Sequence, residues 1–191
     1  MSEPFFISDA CKRFLASLVI TSIESVFRAS NESCPPLDAS LDEEEKLFLS
    51  RHLGSFVTLT LHGNLRGCIG SIVGYEPLFT NVWRMARSAA FSDPRFRPLN
   101  EAEWKVCERE ISVLSEVTLC PDPTAISIGQ HGLVLRFNGR TGVFLPQVPV
   151  EQHWNRTQYL DHLCLKAGVA PGSWKNASAE LFWFEATVFA V

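Results

Sequence analysis

Long apolar runs are missing from this sequence, and none approaches the ~18 residues that a membrane-spanning helix needs. The first twenty residues have no cationic start and no small-residue cleavage site. Their apolar run, Phe14 to Ile20, is short, so neither a leader nor a membrane anchor is expected and the chain reads as cytoplasmic. Six cysteines are scattered as Cys11, Cys34, Cys68, Cys107, Cys120 and Cys164 without one C-x-x-C pair, and His162-Leu163-Cys164 has no second pair to match it. No metal site is therefore expected, and in a reducing compartment the thiols read as free, several of them buried as small hydrophobes. A P-loop, a dinucleotide-binding glycine fingerprint and a G-x-S-x-G elbow are absent, so no cofactor is implied. The formal charge of -4 gives no general pull toward nucleic acid or an anionic membrane. Trp154, Trp174 and Trp183 read as core rather than as a base-stacking platform, because no basic stripe accompanies them.

What is present is an ordinary globular composition: 191 residues, 46% hydrophobic and 20% charged, with 14 Phe and 5 Trp to fill a core. That length suits one large domain or two small lobes, and a monomer is the default. Residues 8–29 predict a helix capped by Ser8 or Asp9, with Phe14, Leu15, Leu18, Val19, Ser22, Val26 and Phe27 on one stripe. The acidic run from Asp42 to Glu45 leads into a short helical stretch at Lys46-Leu47-Phe48-Leu49. Ser55 to Leu61 alternates as a strand, His62-Gly63-Asn64 predicts a three-residue turn, and a second strand follows from Leu65.

Pro77 to Phe91 predicts a helix with Leu78, Val82, Met85, Ala86 and Ala89 as its stripe. Ser92 to Leu99 is a structured turn, since Pro94 and Pro98 bar helix continuation, and Asn100 to Glu103 has capping-box spacing. Cys107 to Leu119 predicts one long strand. Leu133–Phe137 and Thr141–Leu145 predict a hairpin about Asn138-Gly139, Thr157 the cap of a helix ending at Gly168, and Leu181–Val191 a last strand. Strands and helices mixed without βαβ alternation indicate an α+β fold with a mostly antiparallel sheet flanked by helices.

The stretch Asn64-Leu65-Arg66-Gly67-Cys68-Ile69-Gly70-Ser71 organises the rest. Two glycines inside a strand mean a bulge, a bend, or close approach by a ligand or another backbone. If Leu61 pairs with Leu65, Thr60 lies opposite Arg66 and Thr58 opposite Cys68. Leu65, Gly67 and Ile69 then face the core, while Arg66 and Cys68 share a polar face roughly 6–7 Å apart. Cys68 so placed reads as a nucleophile or redox thiol with Arg66 as its cation, and Gly67 and Gly70 leave backbone N–H groups for an anion or a developing oxyanion. It reads as well as a small residue in a tight strand, with Arg66 in a structural ion pair, Glu110 being a candidate partner. His131 is either the general base for Cys68 or a polar turn residue between Gly129 and Gly132. Arg95 and Arg97, with Asp93, either bind an anionic substrate or latch their own loop. Gln147 and Glu151 either line a cleft or cap a helix.

Several motifs occur together in a fixed order: Phe56-Val57-Thr58-Leu59 before Leu65-Arg66-Gly67-Cys68-Ile69-Gly70; then Asp93-Pro94-Arg95-Phe96-Arg97-Pro98-Leu99, Ile111-Ser112-Val113-Leu114-Ser115, His131-Gly132-Leu133, Phe144-Leu145-Pro146-Gln147-Val148 with Glu151-Gln152, and Lys166-Ala167-Gly168. This set resembles the AMMECR domain family, including its prokaryotic members of the AmmeMemoRadiSam system. The resemblance runs from about Ser55 to Val191 and is looser over the first 50 residues. It implies a single AMMECR-type domain over residues 1–191, an α+β fold of two unequal lobes. The larger, sheet-bearing lobe would carry 55–73 and 107–191, and the smaller would come from the intervening helical and loop segments. It implies Cys68 as the suspected active residue of a thiol-dependent enzyme or enzyme accessory, acting on a small anionic or electrophilic substrate. It also implies a link to Memo-type and radical-SAM proteins, which supports the alternative of a non-catalytic adaptor docking such a partner. One departure is local: after Glu151-Gln152 the family often shows Gly or Asp, then Trp and Asp, where this chain has His153-Trp154-Asn155.

Overall fold

The computed structural model describes residues 5–30 and 32–191. The first helix, α1 (Asp9–Phe27), starts at the expected cap: Ser8 is extended and its hydroxyl accepts from the Cys11 N–H. Its buried face is Cys11, Leu15, Leu18, Val19, Ser22, Ile23 and Ser25, whereas Val26, expected on that face, is 39% exposed. The face turns with the serines because they are bonded: Ser22 Oγ donates to the Trp83 carbonyl and Ser25 Oγ accepts from Arg87. A second helix, α2 (Glu43–Ser50), begins inside the acidic run, since Asp42 and Glu45 close a reciprocal capping box.

Strands β1 (Leu53–Leu61) and β2 (Asn64–Val73) form the hairpin that carries the glycine-rich stretch. Leu61 pairs with Asn64, so the loop is only His62-Gly63, both at positive φ (52° and 75°), as a two-residue turn matched to strand twist requires. Thr58 faces Cys68, the expected partner. Between those two fixed pairs β2 holds one residue more than β1. The register shifts between Leu59, which faces Gly67, and Thr60, which faces Leu65, and Arg66 is the extra residue of a β-bulge. The expected Leu61–Leu65 and Thr60–Arg66 pairs are thus replaced: Leu65 is 43% exposed instead of facing the core, and Arg66 is buried.

Helix α3 (Leu78–Phe91) buries the expected stripe and packs on β1 and β2, with α1 packed on α3. Asn100 and Glu103 form the predicted capping box at the head of α4 (Glu101–Val106). The strand expected over 107–119 is two pieces, β3 (Glu108–Leu114) and β4 (Thr118–Leu119). It breaks at Ser115 because that residue exchanges hydrogen bonds with Glu185 through both its N–H and its hydroxyl, so the ladder with β1 ends there. Then come β5 (His131–Phe137), β6 (Arg140–Phe144), α5 (Val148–Glu151), α6 (Arg156–Lys166) and β7 (Glu180–Ala190). Asn138-Gly139 turns the β5–β6 hairpin with positive φ at both residues. Asn155, not Thr157, caps α6: its side chain accepts from the Gln158 N–H, and Gln158 returns a bond to the Asn155 N–H.

The chain divides into two compact units, one chiefly Ser115–Ala186 and a larger one of Phe6–Leu114 with Thr187–Val191. The larger holds the antiparallel order β2-β1-β3 and the last residues of β7, where the Val191 N–H donates to the Arg109 carbonyl. The smaller holds β4 and β5 on β7, and β6 on β5, all antiparallel. Its core is built on Leu133, Leu135, Tyr159, Leu160, Leu163 and Leu181, against which Trp154, Trp174 and Trp183 pack. The α+β class with an antiparallel sheet follows as expected, but the expected lobe boundaries do not: 55–73 shares the larger unit with the intervening helices, because α3 packs on β1 and β2, and 115–186 forms the smaller one. Among the described residues, no helix is long and apolar enough to cross a membrane.

Gly67 and Gly139 separate two reasons for glycine. A Cβ on Gly67 would lie 2.2 Å from the Ala89 carbonyl oxygen, which α3 cannot move cheaply; a Cβ on Gly139 meets nothing within 4 Å but sits at φ 71°. Gly67→Ala is expected to cost about 3 kcal/mol or more through overpacking, and Gly139→Ala about 1 kcal/mol through backbone strain. Urea unfolding of the two variants checks the order; equal losses would contradict the close-packing role of Gly67.

Candidate functional site

Cys68 lies half-buried on β2, the outermost strand of its unit. Its N–H donates to Asp93 Oδ2 at 2.9 Å, and its carbonyl accepts from Arg95 Nη2 at 3.1 Å. Both backbone groups therefore point away from β1, which makes Cys68–Thr58 a non-hydrogen-bonded pair, the closer type across an antiparallel ladder. That closeness brings the Thr58 hydroxyl within 3.4 Å of the sulfur, as a donor. On the same side, Thr58 and Thr60 open onto a groove of about 260 Å³ whose other walls include Glu108, Arg109 and Glu110.

The loop after α3 supplies the edge of the site. Asp93 is 4% exposed, and its carboxylate accepts four hydrogen bonds: from the Cys68 N–H, the Arg95 N–H at 3.1 Å, Arg95 Nε at 2.9 Å and Arg95 Nη2 at 2.7 Å. The Arg95 bonds, and then the Cys68 and Arg95 backbone donors, hold the carboxyl far below the usual carboxylate range against the opposing effect of burial. Arg95 is in turn pushed up, first by Asp93, with the Cys68 sulfur among the smaller contributors.

Arg66 serves a different purpose. The bulge turns it into the protein, where Nη2 bonds Glu103 Oε2 at 2.9 Å and the Pro98 carbonyl at 3.3 Å, with Nε 3.4 Å from Glu103 Oε1. Its ion-pair partner is thus Glu103, the capping residue of α4, in place of the anticipated Glu110. Arg66 holds Glu103 below its ordinary value, and the Asn100 N–H assists. The Phe96 ring lies 5.9 Å from the Arg66 guanidinium and 5.4 Å from that of Arg95.

Of the two glycines beside Cys68, Gly67 is set against α3, and Gly70 lies where a Cβ would strike the Phe56 ring and the Ser55 carbonyl. The Cys68 N–H, between them, is already taken by Asp93. His131 belongs to the other unit and opens β5. Its Nδ1 accepts from the Ser127 N–H at 3.1 Å and its ring lies 4.5 Å from Trp183; burial pushes its pKa down, with Glu185 opposing. Gln147 and Glu151 also belong to that unit. The Gln147 carbonyl accepts from the Val150 and Glu151 N–H groups to start α5, and Glu151 ends it, exposed. Cys68, Arg95, Gly67, Gly70 and Arg66 therefore come together in one unit with Asp93 and Thr58, and Glu103 is the partner added by the structure. Asp93-Pro94-Arg95 signals the latch, since an Asp before Pro with an arginine two residues on is a turn whose carboxylate can bond its own loop, but not the bond from Asp93 to the Cys68 N–H.

A model of the AMMECR1 family matches residues 16–189 of this chain. Protein MK0488 of Methanopyrus kandleri is 41% identical over 150 residues, covering 74% of this chain and 72% of that protein. A Thermococcus onnurineus protein is 33% identical over 193 residues, covering 96% of this chain and 91% of its own length. The crystal structure of the uncharacterized protein PH0010 from Pyrococcus horikoshii superposes with a TM-score of 0.81 at 30% identity, covering 97% of this chain and 94% of that one.

Two carboxylates with lowered pKa values give the fold an acid dependence of known sign. Asp93 and Glu103 stabilise the fold fully above the ordinary carboxylate pKa, and the contribution is lost as pH falls toward their folded values. Glu103→Gln is expected to cost about 2–4 kcal/mol at pH 7, because it leaves the Arg66 charge buried without its partner. The gap to wild type should narrow below about pH 4. Urea unfolding at pH 7, 5 and 3.5 checks it, and a gap independent of pH would assign the loss to packing alone.

Proposed function

The chain belongs to the AMMECR1 family, and from that premise together with the geometry of β2 we propose that it acts through the Cys68 thiol on a small electrophilic molecule, as an enzyme or an enzyme accessory. The observation that carries this reading is the contrast among six free thiols. Cys11, Cys107, Cys120 and Cys164 are buried, and desolvation pushes each of their pKa values up. Cys34 is half-exposed like Cys68, but its thiol is pushed up to about 11 by its partial burial, with Glu76 adding to it and Arg87 opposing. Cys68 is half-exposed, has a hydroxyl donor on its sulfur, and has a guanidinium bonded to its own carbonyl.

In this reading the sulfur gives its electron pair to an electrophilic carbon or sulfur, the leaving group departs with the old bonding pair, and the thiol proton goes to solvent. The groove walled by Thr58 and Thr60 receives the body of the molecule. A strand-borne thiol with both backbone groups tied is fixed in position, which is what such a reaction asks of its nucleophile.

Limited alkylation of the native protein with iodoacetamide at pH 7.5, mapped by mass spectrometry, tests the reading. Cys68 should label first, and Cys68→Ser should remove the fast phase. Cys34, pushed up to about 11, should lag because little of it is thiolate at that pH. A Cys68 that labels only on unfolding would overturn the proposal and leave β2 as a packing or docking strand.

A further inference from the structure

We propose that Arg95, anchored by Asp93, is an anion-binding subsite beside Cys68, so that the molecules reacting there carry a carboxylate or phosphate group. Arg95 is the binding residue and Asp93 the positioning residue, and the proposal rests on the reading of Cys68 as a reactive thiol. Both Asp93 oxygens are occupied by four donors, so this carboxylate has no remaining task toward a ligand. Its effect is on its neighbours: it fixes the Cys68 peptide through the N–H and the plane of the Arg95 guanidinium through Nε and Nη2.

Depth separates the two charges. The Asp93 side chain is 2% exposed and that of Arg95 is 52% exposed, so solvent meets the positive end of the pair. Nε and Nη2 are used on Asp93 and on the Cys68 carbonyl, while Nη1 has no partner among the described residues. Two N–H donors remain on Nη1, each free to make a charge-assisted hydrogen bond to an oxygen of a carboxylate or phosphate, while the bidentate fork of Nε and Nη2 is held by Asp93. A free surface arginine would lose rotamer freedom on binding, but this one is already ordered, which removes that cost from a ligand. Arg97 adds a second positive charge on the same loop, 82% exposed and only 3.9 Å-paired to Glu103. The subsite sits at the outer edge of β2 and the groove on the side of β1, so a ligand anchored at Arg95 passes over the sulfur to reach Thr58.

The test compares iodoacetate with iodoacetamide, reagents of similar size and unlike charge, on the intact protein at low salt and pH 7.5. The measured quantity is the iodoacetate-to-iodoacetamide rate ratio at Cys68. In wild type it should exceed the ratio in Arg95→Gln by roughly three- to tenfold, the size expected of one partly screened charge at contact. Arg95→Lys should keep the larger part of the preference because it keeps the charge, and 0.5 M NaCl should diminish it. The half-exposed Arg95 substitutions carry the test, because Asp93→Asn would remove the opposing negative charge together with the Arg95 anchor. An equal ratio in wild type and Arg95→Gln, with Cys68 labelled in both, would overturn the subsite and leave the thiol reading standing. No labelling of native Cys68 by either reagent would overturn both.

Discussion

The buried carboxylate of Asp93 is the constraint on which the glycine-rich strand depends. β2 is an outer strand, and the N–H and C=O groups of an outer strand need partners that no neighbouring strand supplies. At Cys68 one loop supplies both, with Asp93 accepting and Arg95 donating. The chain reaches that point by a simple length match. From Cys68 to Val73 a strand advances about 17 Å, and the fourteen residues of α3 return about 21 Å. The loop that follows the helix is thereby delivered back to the level of Cys68. Gly67 permits this return at close range, because its missing side chain is where the Ala89 carbonyl of α3 passes.

The bulge at Arg66 divides the work between two arginines that lie close to one cysteine in different ways. Without the extra residue, strand alternation would place Arg66 on the face of Cys68. With it, Arg66 turns inward and ties β2 to the head of α4 through Glu103, a residue that also closes the α4 capping box. The guanidinium left at the surface beside Cys68 comes from the loop. Buried ion pairs contribute little net stability against an apolar alternative, but breaking one is costly, so such a pair serves to fix a register. Here the fixed register is that of the bulge, and with it the side of the sheet on which the sulfur emerges.

The elements and their order were legible because each carries its own local signal: the Ser8 and Asn100 caps, the stripe of α3, and Asn138-Gly139 at a hairpin. The misreadings share one physical origin, in that two local solutions were nearly degenerate and contacts distant in sequence chose between them. His62-Gly63-Asn64 can turn with three residues or with two, and the choice decides whether Thr60 faces Arg66 or Leu65. Asn155 and Thr157 both cap well, and the reciprocal bond from Gln158 selects Asn155. The strand after Cys107 has β character to Leu119, yet the exchange with Glu185, seventy residues on, interrupts it at Ser115. At the site, the expected Thr58–Cys68 pair stands because the bulge at Arg66 makes up the one residue by which the observed turn is shorter than the expected one. The bond from Cys68 to Asp93 spans 25 residues and depends on the length of a whole helix, which no local pattern encodes.

The position of the thiol on a strand, and not in a loop, bears on what it can select. A loop cysteine meets a ligand with a mobile backbone, and part of the binding free energy goes into ordering it. Cys68 has its N–H, its carbonyl and its cross-strand neighbour all fixed by protein groups, so the sulfur, the Thr58 hydroxyl and the Arg95 guanidinium keep their relative places before anything binds. Three groups of different chemistry held in that order define a direction across the strand edge, from a cation through a sulfur to a hydroxyl-lined groove. In the proposed reading, discrimination follows from geometry: a molecule that presents its charge, its reactive atom and its polar end in the same sequence meets all three at once.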